Sequence, residues 1–344
     1  MRILIAGQCR HEWHENAWAR ALKELGHDVS LFRIGAYFRS RFEKVQYRIK
    51  TGPLVRRINE DFLTEVNAVK PQFIISYTNY FLFPETVSQL KDAGRAILVC
   101  YNNDNPFGEL SGRPFWRHFK KALKFYDLVL AYRPGDVQDY LDSGAQRVKL
   151  LQSHYLPWLH RPMSSKEKCL QTWDSDIGFF GHCENDKRLE YLTRLIRGLP
   201  GVRFKIHGSN WRKYGKGTPW QKWNTAEIQG EAYVAAINAT KIALNFLSTI
   251  NRDTYTRRCF EIPACGTLLL GERTDEMQSL YAEDKEAVYF SSAEELSEKA
   301  KFYLRNDGLR MKIAASGHER CLSSGYDVYS RMRQFLAFIN NGTF

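Results

Sequence analysis

Two carboxylates in the second half of the chain, Asp253 and Glu261, stand eight positions apart in the stretch DTYTRRCFEIPACGTLLLG. On one helix this spacing places them about 12 Å apart along the axis, two turns and roughly 80° around it. Acids at that separation can contact opposite ends of one elongated ligand but not a single hydroxyl group. The spacing therefore predicts a site for a long polar molecule, provided that the stretch is helical.

The pattern favours a helix that begins at Asp253 or Thr254, both good N-caps, and that ends at the sequence PACG. A helix amino terminus offers free N–H groups and positive potential, which suit a diphosphate. Arg257 and Arg258 fall in or near the first turn, where the helix dipole disfavours cations. We interpret them as ligands of an anion, and the alternative is that they are solvated surface groups.

Elements that would position these residues alternate along both halves of the chain. Apolar runs and helical patterns follow one another as MRILIAG, NAWARALKELG, DVSLF, QFIISY, ETVSQLKDAG, AILVCYN and DLVLAY, and again as DIGFFG, NDKRLEYLTRLIRGL, RFKIHG, EAYVAAINAT, KIALNFL and TLLLG. Such alternation predicts α/β architecture, with parallel sheets covered by helices on both faces. We expect two Rossmann-like domains that face each other across a cleft, with ligands at the carboxyl ends of the strands.

The duplication predicts domain boundaries near a proline-bearing connection, VKLLQSHYLPWLHRP. We expect a first domain at residues 1–158, a second at 159–324, and a final helix at 325–344 that packs back on the first.

Several function classes are disfavoured by what the sequence lacks. Neither half carries GxGxxG after its first strand, and no GxxxxGK[ST] occurs, so NAD, FAD and P-loop nucleotide sites are not expected. The seven cysteines are dispersed without a CxxC pair, which predicts reduced thiols rather than a zinc site or disulfides. No run of 18 apolar residues occurs and MRILIAG is short for a signal-peptide core, so we expect a cytoplasmic protein.

The formal net charge of +12 favours an anionic partner, such as a phosphate-bearing substrate, a phospholipid surface or nucleic acid. Residues 33–57 carry eight Lys or Arg against one acid, with aromatic residues between them, and residues 113–125 have a similar composition. This mixture suits an interfacial helix at the inner face of an anionic membrane, or a groove for a phosphorylated or polymeric acceptor. A nucleic-acid surface and an ordinary solvated face remain the alternatives.

The segment RCFEIPACGTLLLGERTDEMQSLY, with EELSEKAKFYLRND and KIAASGHER after it, resembles the carboxyl-terminal domain of the CgeB-like GT-B glycosyltransferases. The resemblance extends to DIGFFGHCENDKR, HGSNW and INATKIALNF, and more loosely to the first half. It implies an enzyme of the hexosyltransferase type that uses a nucleotide-diphosphate sugar, retains anomeric configuration and serves polysaccharide biosynthesis.

The resemblance also implies roles for the two acids, because the wider GT-B group has a Glu, seven residues and a second Glu. Glu261 matches the second acid, which holds the ribose hydroxyls, and Asp253 falls at the first, which contacts the donor sugar. Asp253 is one methylene shorter than the usual Glu. Arg258 matches the arginine of the RxFE pattern and is expected to face the diphosphate.

Further donor residues follow from the same resemblance. Lys187 and Arg188 fall where the wider group places basic diphosphate ligands, and the turn after DIGFFG brings Gly181 close to a ligand. Gly208 and Trp211, in HGSNW after a strand, are candidates to flank the base. Arg188 as a helix-surface charge and Trp211 as core packing are the alternatives.

Three residues in the first half are candidates for acid–base chemistry. His11 and His14, in CRHEWHE, follow the first strand, where a histidine can accept a proton from an acceptor hydroxyl. Their spacing is not HExxH, so a zinc protease is disfavoured. Asp104 follows the fourth apolar strand in YNNDNPFG, where turn chemistry is an equally good explanation.

These observations predict a metal-independent glycosyltransferase without a cofactor, which transfers a sugar from a nucleotide-diphosphate sugar to a glycan, lipid-linked or protein acceptor. No DxD occurs in a plausible donor loop, so basic residues would neutralise the leaving diphosphate. A nucleotide-sugar epimerase or hydrolase on the same fold, and a nucleic-acid-binding protein, are the rival predictions.

Overall fold

A computed structural model describes residues 1–78, 80–108, 112–164, 173–223 and 225–340. The chain divides into two compact units. The first unit comprises Met1–Gln152 together with Val328–Phe344, and the second comprises Ser153–Asp327.

The first unit is built on a six-stranded parallel sheet in the order β2-β1-β3-β4-β5-β6. Its strands are β1 (Arg2–Gly7), β2 (Asp28–Arg33), β3 (Phe73–Tyr77), β4 (Ile97–Asn102), β5 (Leu128–Ala131) and β6 (Val148–Leu150). The described helices before the second unit are α1 (Ala17–Glu24), α2 (Arg41–Ile49), α3 (Pro53–Val69), α4 (Pro84–Ala93), α5 (Arg117–Ala122) and α6 (Asp136–Asp142).

The second unit is built on a five-stranded parallel sheet in the order β11-β10-β9-β7-β8. Its strands are β7 (Ser175–Phe180), β8 (Phe204–His207), β9 (Thr240–Asn245), β10 (Leu268–Glu272) and β11 (Val288–Phe290). Its described helices are α7 (Lys187–Gly198), α8 (Gly230–Asn238), α9 (Arg258–Ala264), α10 (Asp275–Leu280), α11 (Ala293–Arg305) and α12 (Asp307–Ser323).

Both sheets follow from continuous apolar runs, because a parallel strand covered on both faces is buried along its whole length. The side chains from Ile3 to Ala6 in β1 and from Leu268 to Leu270 in β10 are almost completely buried. Each unit therefore has its own core between its sheet and its helices.

The strand orders fix where a ligand site can form. In the first sheet the chain continues from β1 to β2 on one side and to β3 on the other. In the second sheet it continues from β7 to β8 and then to β9 in the same way. Each reversal leaves a crevice outside the carboxyl ends of the central strands, which is where open α/β sheets bind ligands.

The last described helix, α13 (Val328–Asn340), belongs to the first unit. Phe335 stacks near Trp18 of α1, with ring centroids 6.4 Å apart, and the Tyr329 hydroxyl donates a hydrogen bond to Glu24. Residues 341–344 of the predicted final helix lie outside the described residues.

The described cysteines are free thiols, and all of them except Cys9 are buried, as the dispersed pattern predicts. Burial raises the pKa of the Cys183 thiol to about 12, so it is protonated at neutral pH. Cys169 lies outside the described residues. Within those residues, no helix has the length and apolar character needed to cross a membrane.

Candidate functional site

Polar side chains gather at the carboxyl ends of β7 and β9, the two strands that flank the reversal in the second sheet. His182 and Glu184 follow β7, and Ser248 follows β9. The Ser248 hydroxyl donates a hydrogen bond to Glu184 Oε2 at 2.6 Å, and His182 Nε2 lies 2.6 Å from Glu184 Oε1. The edge expected to bind a ligand therefore carries a connected set of polar groups, two of which are titratable.

Glu184 is the ionised centre of this set. Burial by itself raises the pKa of the Glu184 carboxyl, but His182, Arg188 and Ser248 outweigh burial and lower the pKa to about 2. An ionised carboxylate can only accept, so His182 donates from Nε2. The His182 side chain is 51% exposed, and Nδ1 is the ring nitrogen that does not contact Glu184.

Arg188 lies inside the protein, which corrects the prediction that it binds the diphosphate. Its Nε and NH2 groups donate to the two Asp186 carboxylate oxygens at 2.8 Å each, and NH1 donates to the His182 carbonyl at 2.8 Å. NH2 also lies 3.2 Å from Glu184 Oε2 and 3.4 Å from the Leu247 carbonyl oxygen. The alternative of a helix-surface charge is wrong as well, because Arg188 is 2% exposed.

Lys187, the first residue of α7, is exposed. Its role as a diphosphate ligand stays a prediction.

The turn that follows β7 is tight because Gly181 and Gly208 are in close contact. A Cβ atom on Gly208 would lie 2.0 Å from the Gly181 carbonyl oxygen. That oxygen accepts a hydrogen bond from Trp211 Nε1 at 2.8 Å. Gly208 therefore lets β8 approach this turn, and Trp211 holds the turn from the other side.

Trp211 itself is a core residue, so the prediction that it flanks the base is wrong. It is 1% exposed and packs edge-to-face against Phe179 and Trp220, with ring centroids 5.8 and 5.4 Å away. An indole that is this deeply buried has no free face for a base.

The helix predicted to begin at Asp253 or Thr254 begins instead at Arg258, with Arg257 as its N-cap. Asp253 closes a turn on Ser248: its N–H donates to the Ser248 carbonyl at 2.9 Å, and its carboxylate accepts from the Ser248 N–H at 3.3 Å. The Thr254 hydroxyl bonds to Glu276. Asp253 and Glu261 therefore do not lie on one helix, and their predicted separation along a helix axis is wrong. Asp253 instead contacts Ser248, which also bonds to Glu184.

Glu261 is buried in α9 and is nevertheless ionised. Tyr233 donates to its Oε2 at 2.6 Å, and Arg257 Nε lies 2.5 Å from its Oε1. Burial raises the pKa of Glu261, but Arg257, His160, Tyr233 and Arg258 together outweigh burial and lower it. Sequence analysis had no means of finding Tyr233 or His160, because both are remote from Glu261 in the chain.

The position of the His160 proton follows from its partners. The Leu156 N–H donates to His160 Nδ1 at 2.9 Å, so Nδ1 carries no proton in the neutral ring. The proton then resides on Nε2, which faces Glu261 Oε1 at 3.7 Å.

Arg258 has fewer hydrogen bonds to protein acceptors than Arg188, another arginine of this site. Within the described residues it makes one long hydrogen bond, from NH1 to the Phe180 carbonyl at 3.4 Å, and no direct ion pair with a carboxylate. Its Cζ lies 5.5 Å from the Phe179 ring centroid. A Cβ atom on Gly181 would lie only 2.9 Å from Arg258 NH1, so any larger residue there would make this guanidinium shift.

Candidates in the first unit lie near the carboxyl ends of β1, β3 and β4. His14 Nδ1 lies 3.0 Å from the Tyr77 hydroxyl, and His11 stacks on Trp13 with ring centroids 4.8 Å apart. Asp104 is part of a turn, because its N–H donates to Asn102 Oδ1 at 3.1 Å, and it accepts from the Tyr80 hydroxyl at 2.7 Å. These contacts leave the acid–base roles of His11, His14 and Asp104 as predictions.

Glu15 is a further buried acid that the sequence analysis did not single out. Burial raises the pKa of its carboxyl, and a Cβ atom on Gly7 would lie 2.1 Å from its Oε1. Glu15 therefore lies directly against the end of β1. Its place in CRHEWHE, one residue after His14, is the only signal in the sequence.

The low pKa of Glu184 predicts a pH-dependent contribution to stability. The carboxyl is ionised in the folded protein down to a pH of about 2, whereas its ordinary pKa is 4.5, so the stabilisation is present above pH 4.5 and is lost as the pH falls toward 2. We expect Glu184→Gln to lower the free energy of unfolding by about 1 to 2 kcal/mol at neutral pH. Urea unfolding of both proteins across this pH range measures the difference, which should shrink in acid.

Glu190→Gln is the matched control, because Glu190 is an exposed acid on α7, paired with Arg194 at 3.0 Å. Its effect should be small. A destabilisation by Glu184→Gln that stays constant with pH would contradict the assignment of an ionised Glu184.

The two parallel sheets, each with a reversal of strand order at its centre, have the fold of the GT-B glycosyltransferases, which confirms the predicted fold class. Residues 187–337 match the family model described as glycosyl transferase-like, a match over less than half of the chain. No curated protein sequence matches the chain.

Solved structures resemble the protein over almost its whole length. HepE of Anabaena in complex with UDP-glucose gives a TM-score of 0.72 at 15% identity, covering 99% of this chain and 100% of that one. Sucrose-phosphate synthase from Thermosynechococcus elongatus gives 0.73 at 14% identity, with coverage of 99% and 98%. A putative UDP-N-acetylglucosamine 2-epimerase from Listeria monocytogenes gives 0.59 at 10% identity, with coverage of 98% and 95%. Identities of this size establish a shared fold and not a shared activity.

Proposed function

We propose that the protein is a CgeB-like glycosyltransferase that moves a sugar from a nucleoside-diphosphate sugar to an acceptor hydroxyl. The observation that carries this proposal is the pairing of Arg258 with the tight Gly181 turn, beside the buried and ionised Glu261. A guanidinium with spare donors suits a diphosphate, and a carboxylate suits the paired hydroxyls of a ribose. The UDP-glucose bound to HepE, a protein of the same fold, supports this class of donor.

Arg258 would hold the diphosphate and neutralise the charge that develops as it leaves. Glu261 would accept hydrogen bonds from the ribose in addition to those from Tyr233 and Arg257, since a carboxylate has about four acceptor positions. Arg257 would then keep Glu261 ionised. With this neutralisation supplied by side chains, we propose that transfer is metal-independent and requires no cofactor.

Asp253 keeps its proposed contact with the donor sugar, but from a turn rather than from a helix. Its link to Ser248 puts it in the same hydrogen-bonded set as Glu184 and His182. This set would border the sugar end of the donor, and Glu261 the nucleoside end. Retention of anomeric configuration is part of the proposal and follows from the resemblance to the CgeB-like group.

The first unit would bind the acceptor, which we propose to be a glycan, a lipid-linked sugar or a protein. His11, His14 and Asp104 are the candidates for accepting the proton of its hydroxyl. We propose a cytoplasmic location, as the sequence analysis expects.

A thermal-shift screen tests the donor proposal. UDP, GDP, dTDP, CDP and their sugars are added in turn, and a ligand that binds only the folded state raises the melting temperature. We expect one base to give a clear shift with its diphosphate and its sugar nucleotide, and a smaller one with the nucleoside. No shift with any nucleotide would refute the proposal.

An epimerase or hydrolase is the second candidate, because the putative UDP-N-acetylglucosamine 2-epimerase of Listeria monocytogenes shares this fold. Incubation with the donor alone separates the three activities. A glycosyltransferase leaves most of the donor unchanged until an acceptor is added, an epimerase yields an isomeric sugar, and a hydrolase yields a free sugar.

The role of Glu261 predicts a specific kinetic change. The ribose contact is the same in the ground state and the transition state, so Glu261→Gln should raise the donor KM about tenfold with a smaller change in kcat. Tyr233→Phe is the comparison variant, because it removes one hydrogen bond to Glu261 but leaves the carboxylate charged. A donor KM that is unchanged in Glu261→Gln would remove the ribose assignment.

A further inference from the structure

Helix α2 presents an apolar stripe to solvent in the first unit. Phe42, Val45 and Ile49 are 88%, 56% and 47% exposed. At about 100° per residue, these three side chains fall within roughly 60° of the helix circumference. Large apolar side chains that share one exposed face mark an interaction site more often than singly scattered ones do.

The helix cannot turn this stripe inward, because its other face and both ends are fixed. Tyr47 packs against Phe38 and Phe81, with ring centroids 5.0 and 5.3 Å away. Ser40 and Glu43 form a capping box at the amino end of the helix. Lys50 ends the helix in a left-handed conformation (φ 56°), and its ammonium lies 3.7 Å from the Tyr47 ring centroid.

Exposed cations border the stripe. Lys44 and Arg48 lie on the neighbouring face of α2, and Arg39 precedes the helix. The only acid between residues 33 and 57 is Glu43, whose carboxylate is used in the capping box. The surface therefore combines apolar and cationic groups with no nearby exposed anion on this segment.

The fold adds the second basic segment of the sequence to the same surface. Arg117 NH2 donates to the Ile49 carbonyl oxygen at 3.4 Å, and His118 Nε2 donates to the Lys50 carbonyl oxygen at 2.9 Å. Residues 113–125 contain no acid, and Arg117 and Lys121 are exposed. Two segments that are far apart in sequence thus form one cationic region around the carboxyl end of α2.

We propose that α2 binds the surface of an anionic phospholipid bilayer, with Phe42, Val45 and Ile49 inserted among the acyl chains and the surrounding cations on the headgroups. An amphipathic helix of this composition lies in the membrane interface, where each cation near an anionic surface adds affinity. Two of the three apolar side chains are aliphatic and offer no stacking surface to nucleic-acid bases, so a membrane fits the stripe better than a nucleic acid does. This proposal is independent of the donor site, because vesicle binding requires no nucleotide sugar.

Co-sedimentation of the full chain with vesicles tests the proposal. One set of vesicles contains phosphatidylcholine alone and the other contains equimolar phosphatidylcholine and phosphatidylglycerol. We expect binding to the anionic vesicles only, weakened by salt. Replacing Phe42, Val45 and Ile49 together with Ser should reduce binding about tenfold or more, because their insertion is lost. Replacing Lys44 and Arg48 with Ser should reduce it roughly fivefold for each charge at low salt.

The matched control replaces Phe302 and Met311 with Ser, since both are apolar, on helices of the second unit, and 49% and 65% exposed. This variant should bind vesicles like the wild type. Thermal melting shows that each variant is folded, which exposed substitutions should permit. Unchanged vesicle binding by the apolar variant would overturn the proposal. So would tight binding of a random single-stranded oligonucleotide that depends on Lys44 and Arg48 but not on the apolar stripe.

Discussion

Arg188→Ala is expected to lower the free energy of unfolding by about 3 to 5 kcal/mol, the usual cost of removing one partner from a buried ion pair. Arg188 is 2% exposed and contacts two carboxylates and two backbone carbonyls. Its removal leaves Asp186 and Glu184 buried with negative charge that is no longer neutralised. The pKa of Glu184 should rise in the variant, because Arg188 is one of the groups that lower it, and stability at neutral pH should fall accordingly.

Arg194→Ala is the control on the same helix. Arg194 has an exposed side chain and pairs with Glu190 at 3.0 Å and with Glu294, so its loss should cost at most about 1 kcal/mol. Urea unfolding followed by tryptophan fluorescence compares the two variants. An Arg188→Ala protein that unfolds like the wild type, but no longer binds a nucleoside diphosphate, would restore the sequence prediction and refute the structural role.

Most strands and their order of succession could be predicted because buried parallel strands have a strong local signal, whereas the short strand β11 was not among the predicted apolar runs. Each apolar run that the sequence analysis identified, from RILIAG to TLLLG, contains a strand of the structure. The strand order within a sheet has no such signal, since it depends on contacts between remote segments. The positions of β1 and β7 at the reversals therefore became known only from the structure.

The acids of the candidate site show where local reasoning fails. Residues Asp253 and Thr254 are good N-caps, but Asp253 bonds to Ser248 and Thr254 to Glu276. Thr256 donates to Asn245 Oδ1 at 2.6 Å. These tertiary hydrogen bonds compete with the helix, which begins only at Arg258.

The two arginines of the predicted diphosphate site have the same side chain but different environments. Near Arg188 the sequence shows a basic residue at the start of a helix, and nothing in it reveals that Glu184 and Asp186 fold back on the guanidinium. Arg258 is followed at two and three positions by Phe260 and Glu261, and no carboxylate in the described part of the chain pairs with it directly. The sequence showed the type of each residue and its position in a helix. It did not show how many N–H donors of each guanidinium remain available to a ligand.

This difference in donor capacity leads to the second large expected effect, a ten- to hundredfold loss of nucleoside-diphosphate affinity in Arg258→Ala. One charge-assisted hydrogen bond is worth about 1.5 to 3 kcal/mol. Affinity for the corresponding nucleoside should hardly change, because the nucleoside lacks the diphosphate. Calorimetry with the nucleotide that gives the largest thermal shift, and with its nucleoside, measures both affinities. Arg258→Lys should fall between the wild type and Arg258→Ala, since it keeps the charge but loses the planar fork.

Arg197→Ala is the matched control, because Arg197 is an exposed arginine in the last turn of α7 in the same unit. It should bind the diphosphate like the wild type. The free energy of unfolding shows whether a loss of binding in Arg258→Ala comes from a loss of folding. Arg258 makes only one long hydrogen bond to the described protein, so its removal should cost little stability. Equal losses of diphosphate and nucleoside affinity in Arg258→Ala would mean that the arginine shapes the site as a whole, and the diphosphate assignment would then be wrong.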